Sequence, residues 1–248
     1  MELRDAYIVA YGRSPYCKAF KGGFANVNPV DFGGLTLTGV LKKIPQLDPM
    51  EIDDVIVGCA MPKGVQDMNM ARLIAQRAGL PDKVTAMTVN RFCSSGLQTI
   101  ATGANAIMCG QADVIVAGGT ESMTQVPMDP GTGWENQYLL EHAPDNYISM
   151  GMTAENVAAD YHITRAEMEQ MACERHAKAA AAQKAGYFDD QIIPIEVPGP
   201  DGKPVVLSKD DGIREGTTPE TLSKLKPCFK PDGVITAAVS SQMTDGAG

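Results

Sequence analysis

The first 120 residues alternate between short apolar runs and apolar positions at helical spacing. Short runs typical of strands cover residues 6–10, 55–57, 84–89 and 113–117. The helical spacing between them predicts helices over residues 30–44, 70–78 and 95–108. These helices are closed by Pro45, Gly79 and Gly110 respectively. Such alternation predicts an α/β fold, with a mainly parallel sheet flanked by helices.

The pattern changes after Gly119, because residues 120–150 are rich in Met, Pro, Gly and Asn and lack a clear period. Two helices follow, and the second begins with a capping box of Thr164 and Glu167 and ends near Gly186. Further strands are predicted over 192–197 and 205–207. We therefore expect residues 120–150 to form an excursion from the sheet predicted for the first 120 residues.

Composition excludes several classes of protein. The 248 residues are 44% hydrophobic and 21% charged, which is typical of a globular chain. Their net charge of −9 argues against a general nucleic-acid binder. No apolar run reaches the roughly 18–20 residues that span a bilayer, and the first residues carry charges where a signal peptide needs an apolar stretch. We expect a soluble, cytoplasmic protein.

The cysteine at position 93 has a special place among the six of this chain, because a predicted strand leads into it and a predicted helix follows. A thiol at the positive end of a helix is stabilised as a thiolate, the form that attacks carbonyl groups. Free backbone N–H groups there can also stabilise an oxyanion. The alternative is that Cys93, like the other five cysteines, only fills space. No cysteine or histidine spacing predicts a metal site.

A nucleophilic cysteine also needs a base, and the chain has three histidines. His142 falls in the irregular segment, His162 between two helices and His176 on the face of a helix. Each is typical of a surface or capping histidine. The residues alone thus offer a nucleophile without an obvious base.

Longer motifs resemble one known family. Residues 90–98, Asn-Arg-Phe-Cys-Ser-Ser-Gly-Leu-Gln, and residues 117–123, Ala-Gly-Gly-Thr-Glu-Ser-Met, resemble the acylation motif of the thiolases. The resemblance extends in the right order over nearly the whole chain, through residues 13–15, 18–20, 22–23, 150–156, 213–214, 226–229 and 240–247. It implies a thiolase-like α/β fold with a core over residues 1–120, an inserted CoA-binding loop domain over 121–232, and a return to the core over 233–248 that stops before the last strand of that core.

The resemblance also implies an activity. In thiolases the residue matching Cys93 attacks a 3-ketoacyl-CoA, releases acetyl-CoA and holds the acyl group as a thioester, which a second CoA removes. The opening motif and the residues around Cys93 resemble the degradative enzymes of fatty-acid β-oxidation more than the acetoacetyl-CoA-forming ones. CoA and acyl-CoA are then substrates, and no metal or covalently bound cofactor is implied. Position by position, the CoA contacts fall on Met150, Arg214, Thr221, Ala237 and Ser241.

Arg214 is the expected partner of the nucleotide end of CoA. It lies in residues 201–232, where basic and acidic side chains are equal in number, so this segment is electropositive relative to the rest of the chain. A plain solvated surface is the alternative interpretation of that segment.

Two departures from the family pattern are visible. Ala238 and Val239 stand where the family has Gly-Asn, which affects the local pantetheine contact. A complete thiolase also has a second, similar half, which carries the catalytic base and a second cysteine, and its motifs do not occur in this sequence. We therefore expect a fragment or one part of a split enzyme, inactive without that C-terminal half. Members of the family form dimers or tetramers, so we also expect a homo-oligomer.

Two other functions stay open from the sequence. A non-catalytic acyl-CoA-binding or scaffold chain would keep the fold and the loop domain, but it has no need of a reactive thiol. Another condensing enzyme of the same superfold, such as a ketoacyl synthase, is disfavoured by the motifs around Cys93 and residues 118–121. Rapid alkylation of Cys93 relative to the other cysteines would favour the enzyme.

Overall fold

The computed structural model describes residues 3–128, 133–199 and 201–248. Within these ranges the elements, in chain order, are β1 (Cys17–Lys18), α1 (Pro29–Leu41), β2 (Asp54–Gly58), α2 (Met70–Arg77), β3 (Thr85–Val89), α3 (Ser95–Met108), β4 (Ile115–Ser122), α4 (Gln137–His142), α5 (Met150–Asp160), α6 (Arg165–Lys184), β5 (Ile195–Pro198), β6 (Pro204–Leu207), α7 (Pro219–Leu222) and β7 (Thr244–Ala247).

Two compact units share these elements. The first consists of Met1–Pro127, Phe188–Gly212 and Met243–Gly248, and the second of Met128–Tyr187 and Ile213–Gln242. This division differs from the predicted domain boundaries mainly at residues 188–212, which pack with the first unit. The assignment of residues 121–232 to a CoA-binding loop domain stays a prediction.

The first unit is built on a five-stranded mixed sheet in the order β1-β7-β4-β2-β3. Strands β4, β2 and β3 run parallel, while β7 pairs antiparallel with both β4 and β1. Strand β2 is buried on both faces, since Val55, Ile56 and Val57 are each at most 5% exposed. A continuous β-branched run of this kind is typical of a central parallel strand. Strands β5 and β6 form a separate antiparallel pair.

Helices cover this sheet. One core cluster joins Leu37 of α1 and Ile74 of α2 to Val55 and Val57 of β2. A second cluster is centred on Phe24 and Phe32, whose rings stack with centroids 4.7 Å apart. The predicted α/β class with helices flanking the sheet is confirmed, as are α1, α2 and α3. Each of these three helices begins after an Asn or Ser N-cap residue.

The predicted strand over residues 6–10 is wrong. The structure assigns no strand there, and Tyr7, Ile8 and Val9 are each about three-quarters exposed. A strand needs a hydrogen-bonded neighbour, and none of the described residues pairs with this run. Strand β4, by contrast, continues past the predicted end at Ala117 to Ser122, because its last residues pair with β7.

The second unit is mainly helical. Helix α6 begins with the predicted capping box, in which Thr164 and Glu167 bond reciprocally. It ends where Gly186 adopts a φ of 76°, as expected for a residue just past a helix end. The irregular segment predicted over 120–150 contains the short helix α4 and a 3₁₀ turn over Pro144–Tyr147 among its described residues.

Candidate active site

Cys93 is exposed and lies in residues 90–94, which join β3 to α3 and end with the N-cap residue Ser94. Strand β3 ends at Val89 and α3 begins at Ser95, so the sequence predicted this junction correctly. The carboxyl ends of β2, β3 and β4 meet at the same edge of the sheet, since Gly58 pairs with both Val89 and Gly119. Sites of α/β sheets are commonly found at such an edge.

The turn before the cysteine is held by its own side chains. Asn90 Oδ1 accepts the Phe92 N–H at 2.8 Å, and Ser94 Oγ donates to the Arg91 carbonyl at 3.0 Å. Ser95 Oγ accepts the Arg91 N–H at 2.9 Å and donates to the Phe92 carbonyl at 2.6 Å. Phe92 has a φ of 44°, a left-handed conformation that costs a non-glycine residue about 1–3 kcal/mol. The polar residues of the motif therefore hold a strained turn.

The N-terminus of α3 is open beside the cysteine. Among the described residues, the backbone N–H groups of Gly96 and Leu97 have no hydrogen-bond acceptor. A Cβ placed on Gly96 would have no atom within 4 Å, and the Leu97 side chain is 71% exposed. Free N–H groups and the helix dipole together favour an anion at this point. The open end of α3 thus offers two N–H donors to an oxyanion formed near Cys93.

Close packing below the turn depends on Gly58. A Cβ on this residue would lie 2.7 Å from the Cβ and from the carbonyl carbon of Ser95, and 2.8 Å from the Gly96 nitrogen. Any larger residue at the end of β2 would therefore push the first turn of α3 away from the sheet. Gly58 sets the depth at which the N-terminus of α3 lies.

A polar network at the ends of β2 and β4 was not predicted from the sequence. Buried Gln66 donates to Glu121 Oε1 at 2.6 Å and accepts the Ser122 N–H at 2.5 Å. Glu121 also accepts the Ala60 N–H at 2.7 Å. Burial, followed by the nearby carboxylate of Glu121, raises the pKa of the Cys59 thiol to about 12. No local signal marks this network in the sequence, because Glu121 lies beyond the strand predicted over 113–117 and Gln66 is 55 positions away from it.

The histidines all lie in the second unit. His142 Nδ1 lies 2.8 Å from the Tyr138 carbonyl oxygen, and His176 Nδ1 accepts the Arg214 N–H at 3.2 Å. His162 occupies a left-handed turn with a φ of 54°. The first unit therefore supplies a thiol but no imidazole.

The five residues expected to bind CoA also lie in the second unit, and each is exposed. Met150 is the first residue of α5, and Thr221 lies in α7, where its Oγ1 donates to the Thr218 carbonyl. Ala237 and Ser241 lie in the irregular segment that follows α7. No hydrogen bond between any two of the five occurs among the described residues. Their role in CoA binding stays a prediction.

Neither a membrane-spanning helix nor a cluster of metal-ligating side chains occurs in the described residues. No helix within 3–128, 133–199 or 201–248 is both long and apolar enough to cross a membrane. Over the same ranges, no group of three or more His, Cys, Asp or Glu side chains is arranged to hold a metal ion.

Comparison with known proteins places the chain in a family. The profile described as "Thiolase, N-terminal domain" matches residues 6–248. The 3-ketoacyl-CoA thiolase of Bacillus subtilis is 46% identical over 253 residues, which cover 99% of this chain and 64% of that protein. The peroxisomal 3-ketoacyl-CoA thiolase 2 of Arabidopsis thaliana is 42% identical, over 98% of this chain and 54% of that protein.

A solved structure agrees with these matches. The acetyl-CoA acetyltransferase of Bacillus anthracis superposes with a TM-score of 0.85 at 37% identity, over 99% of this chain and 64% of that one. The predicted thiolase-like fold is therefore confirmed. This chain spans less than two thirds of the length of each of these relatives. Since the family profile covers nearly all of the sequence, the chain belongs to the thiolase family.

Proposed function

We propose that this chain carries the nucleophile and the CoA-binding surface of a thiolase acyltransferase. The Cys93 thiolate attacks the 3-keto carbon of a 3-ketoacyl-CoA, and the bond between carbons 2 and 3 then breaks. Its electron pair leaves with acetyl-CoA, which takes up a proton, and the acyl group remains on Cys93 as a thioester. The thiol of a second CoA, losing its proton to a base, attacks that thioester and releases acyl-CoA and the thiolate. The reverse sequence is a Claisen condensation.

One observation carries this proposal: Cys93 is exposed at the open N-terminus of α3, directly after the strained Phe92. A thioester keeps the acyl carbonyl reactive and splits one difficult step into two. The unpaired N–H groups of Gly96 and Leu97 are donors for the oxyanion of each tetrahedral intermediate. Cys17 and Cys59, by contrast, are buried, and burial raises the pKa of each thiol to about 12.

The second unit supplies the CoA contacts in this proposal. Met150, Thr221, Ala237 and Ser241 contact the pantetheine and adenosine parts, and the Arg214 guanidinium pairs with the nucleotide end. All five side chains are exposed, as a ligand surface requires. The sequence-based division into a core over 1–120 and 233–248 and a CoA-binding loop domain over 121–232 is part of the same proposal. CoA and acyl-CoA are its substrates, with no metal or covalently bound cofactor.

The partners and the location belong to the proposal as well. Because the first unit contains no histidine, we infer that the base comes from a C-terminal thiolase half, in the same gene product or a separate chain. General-base assistance is typically worth about 10²–10⁴ in rate, so residues 1–248 alone turn over slowly or not at all. A homo-oligomer in the cytoplasm, acting in fatty-acid β-oxidation, completes the proposal. Two of the Arabidopsis relatives, however, are named peroxisomal.

The test pairs the intact mass of the native protein, as isolated from its source, with a thiolysis assay on acetoacetyl-CoA and longer 3-ketoacyl-CoA substrates. The proposal expects a longer polypeptide or a co-purifying second chain, activity in that preparation, and loss of activity in Cys93→Ser. Cys109→Ser, which removes another exposed thiol, should leave the activity unchanged. Acetylation of Cys93 by acetyl-CoA, read from the mass of its peptide, identifies the intermediate.

Two results would count against the enzyme. Binding of CoA without acetylation of Cys93 in the native preparation would favour a non-catalytic acyl-CoA-binding chain. Full turnover by purified residues 1–248 without any partner would refute the need for a second half. Iodoacetamide near neutral pH adds an independent measurement, because Cys93 should react much faster than Cys109 or Cys228, the other exposed thiols.

A further inference from the structure

A buried carboxylate in the second unit joins two elements that carry expected CoA contacts. Glu155 of α5 is 3% exposed, and its two oxygens accept the N–H groups of Val234 at 3.0 Å and Ile235 at 2.9 Å. Within the described residues no cation pairs with this carboxylate. A buried carboxylate that loses one of its hydrogen bonds costs free energy, so the backbone donors and the carboxylate are expected to keep their relative positions.

The packing around the carboxylate is equally close. A Cβ on Gly233 would lie 2.2 Å from Glu155 Oε1, so a larger residue at position 233 would displace the carboxylate from its present place. One turn earlier on α5, a Cβ on Gly151 would lie 2.1 Å from the Phe229 ring. Helix α5 thus contacts residues 228–241, here called the strap, at two points.

The strap is fixed at its anchor and exposed beyond it. The Cys228 N–H donates to the Ile235 carbonyl at 2.9 Å, and Ile235 and Thr236 are buried. After them the chain turns, with the Val239 N–H and the Ser240 hydroxyl both bonded to the Thr236 carbonyl. Ala237, by contrast, is exposed on this turn. The Glu155 contacts therefore determine where the exposed part of the strap lies relative to α5.

We propose that Glu155 is a positioning residue for CoA binding: it holds the strap, which carries Ala237 and Ser241, against the helix that begins with Met150. The inference rests on the proposed function, because it takes these three residues as CoA contacts. Glu155 itself contacts no CoA atom in this proposal. It acts by holding the strap and the start of α5 in one arrangement before CoA binds, which lowers the entropy cost of ordering these contacts on binding.

The test compares Glu155→Gln with Ala158→Gly in this chain. The carboxamide keeps the size of Glu155 but presents an NH₂ group to one of the two N–H donors, so one bond is lost. Ala158→Gly loosens the same helix at another buried position without touching the strap bonds. CoA binding is measured by isothermal titration calorimetry, and the Tm of each variant is recorded alongside.

Glu155→Gln should weaken CoA binding severalfold and at most about tenfold, because part of the cost of losing one hydrogen bond to the carboxylate becomes an ordering cost when CoA binds. Ala158→Gly should bind CoA with the affinity of the unaltered chain, even if its Tm falls as much as that of Glu155→Gln. In an active preparation the Glu155→Gln change should raise the KM for CoA and leave kcat nearly constant. If Glu155→Gln does not fold, Glu155→Asp, which keeps the charge and withdraws it by one methylene, replaces it with the same expected direction.

The outcomes separate the two proposals. Unchanged affinity in Glu155→Gln, or equal weakening in Ala158→Gly, overturns the positioning role and leaves the proposed function intact. Failure of the unaltered chain to bind CoA overturns the proposed CoA surface and the positioning role with it.

Discussion

Replacing Gly58 with alanine tests whether this position sets the depth of the N-terminus of α3. The new Cβ would lie 2.7 Å from two carbon atoms of Ser95, whereas carbon atoms in contact are about 3.5–4.0 Å apart. The start of α3 must then move by about 1 Å, and the strained turn at Phe92 moves with it. Overpacking of this kind costs about 1–3 kcal/mol. For a chain of this size that is a fall in Tm of about 2–10 °C.

The assay is thermal unfolding followed by circular dichroism, with the rate of Cys93 alkylation as a second readout. Gly96→Ala is the matched control, because a Cβ at this position would have no atom within 4 Å. The substitution also replaces a glycine inside a helix with a better helix-forming residue. It should raise the free energy of unfolding by up to about 1 kcal/mol. A Gly58→Ala chain with an unchanged Tm and an unchanged alkylation rate would refute the packing argument.

Four further predictions concern stability. Arg13→Met removes the cation that pairs with Asp210 through two bonds of 2.7 and 2.9 Å in a largely buried setting, and urea unfolding should show a loss of about 3–5 kcal/mol. Arg77→Met, which breaks a half-exposed pair, should cost less than about 1 kcal/mol. Burial raises the pKa of Cys59 to about 12, so the unfolded chain ionises first and the free energy of unfolding should fall between about pH 8.5 and 12, less steeply in Cys59→Ala. Two backbone N–H groups before β4 lower the pKa of Asp53, so its contribution is present above about pH 4 and is lost as the pH falls through the folded value. Asp53→Asn should flatten that acid limb in urea midpoints measured against pH.

The elements next to Cys93 were predictable because their signals are local. The spacing of apolar residues placed α3 at 95–108, and the structure has Ser95–Met108. The capping box at Thr164 and the glycine at 186 likewise marked the two ends of α6, which runs over Arg165–Lys184. Caps, turns and periodicity act over four or five residues, and so they are visible in one sequence.

What was missed depends on partners far away in the chain. The end of β4 is a strand because β7 pairs with it, more than a hundred residues later. Gln66 meets Glu121 across 55 positions, and Arg13 meets Asp210 across 197. Residues 6–10 show the opposite error, since their apolar pattern was read as a strand although no described strand pairs with them. A local pattern cannot contain this information, because pairing is decided by the whole fold.

The contrast between Cys59 and Cys93 shows why residue type alone could not identify the nucleophile. Both cysteines follow the carboxyl ends of neighbouring parallel strands, Cys59 directly after β2 and Cys93 four residues after β3. The surroundings of the two thiols differ. Cys59 is buried beside the Glu121 carboxylate, and its pKa of about 12 corresponds to a thiolate fraction of about 10⁻⁴ at pH 8. Cys93 instead lies exposed at a helix N-terminus with unpaired N–H groups. Burial, followed by a nearby carboxylate, disfavours the thiolate of Cys59, whereas Cys93 is open to solvent beside unpaired N–H donors, and this difference is why we propose Cys93 rather than Cys59 as the nucleophile.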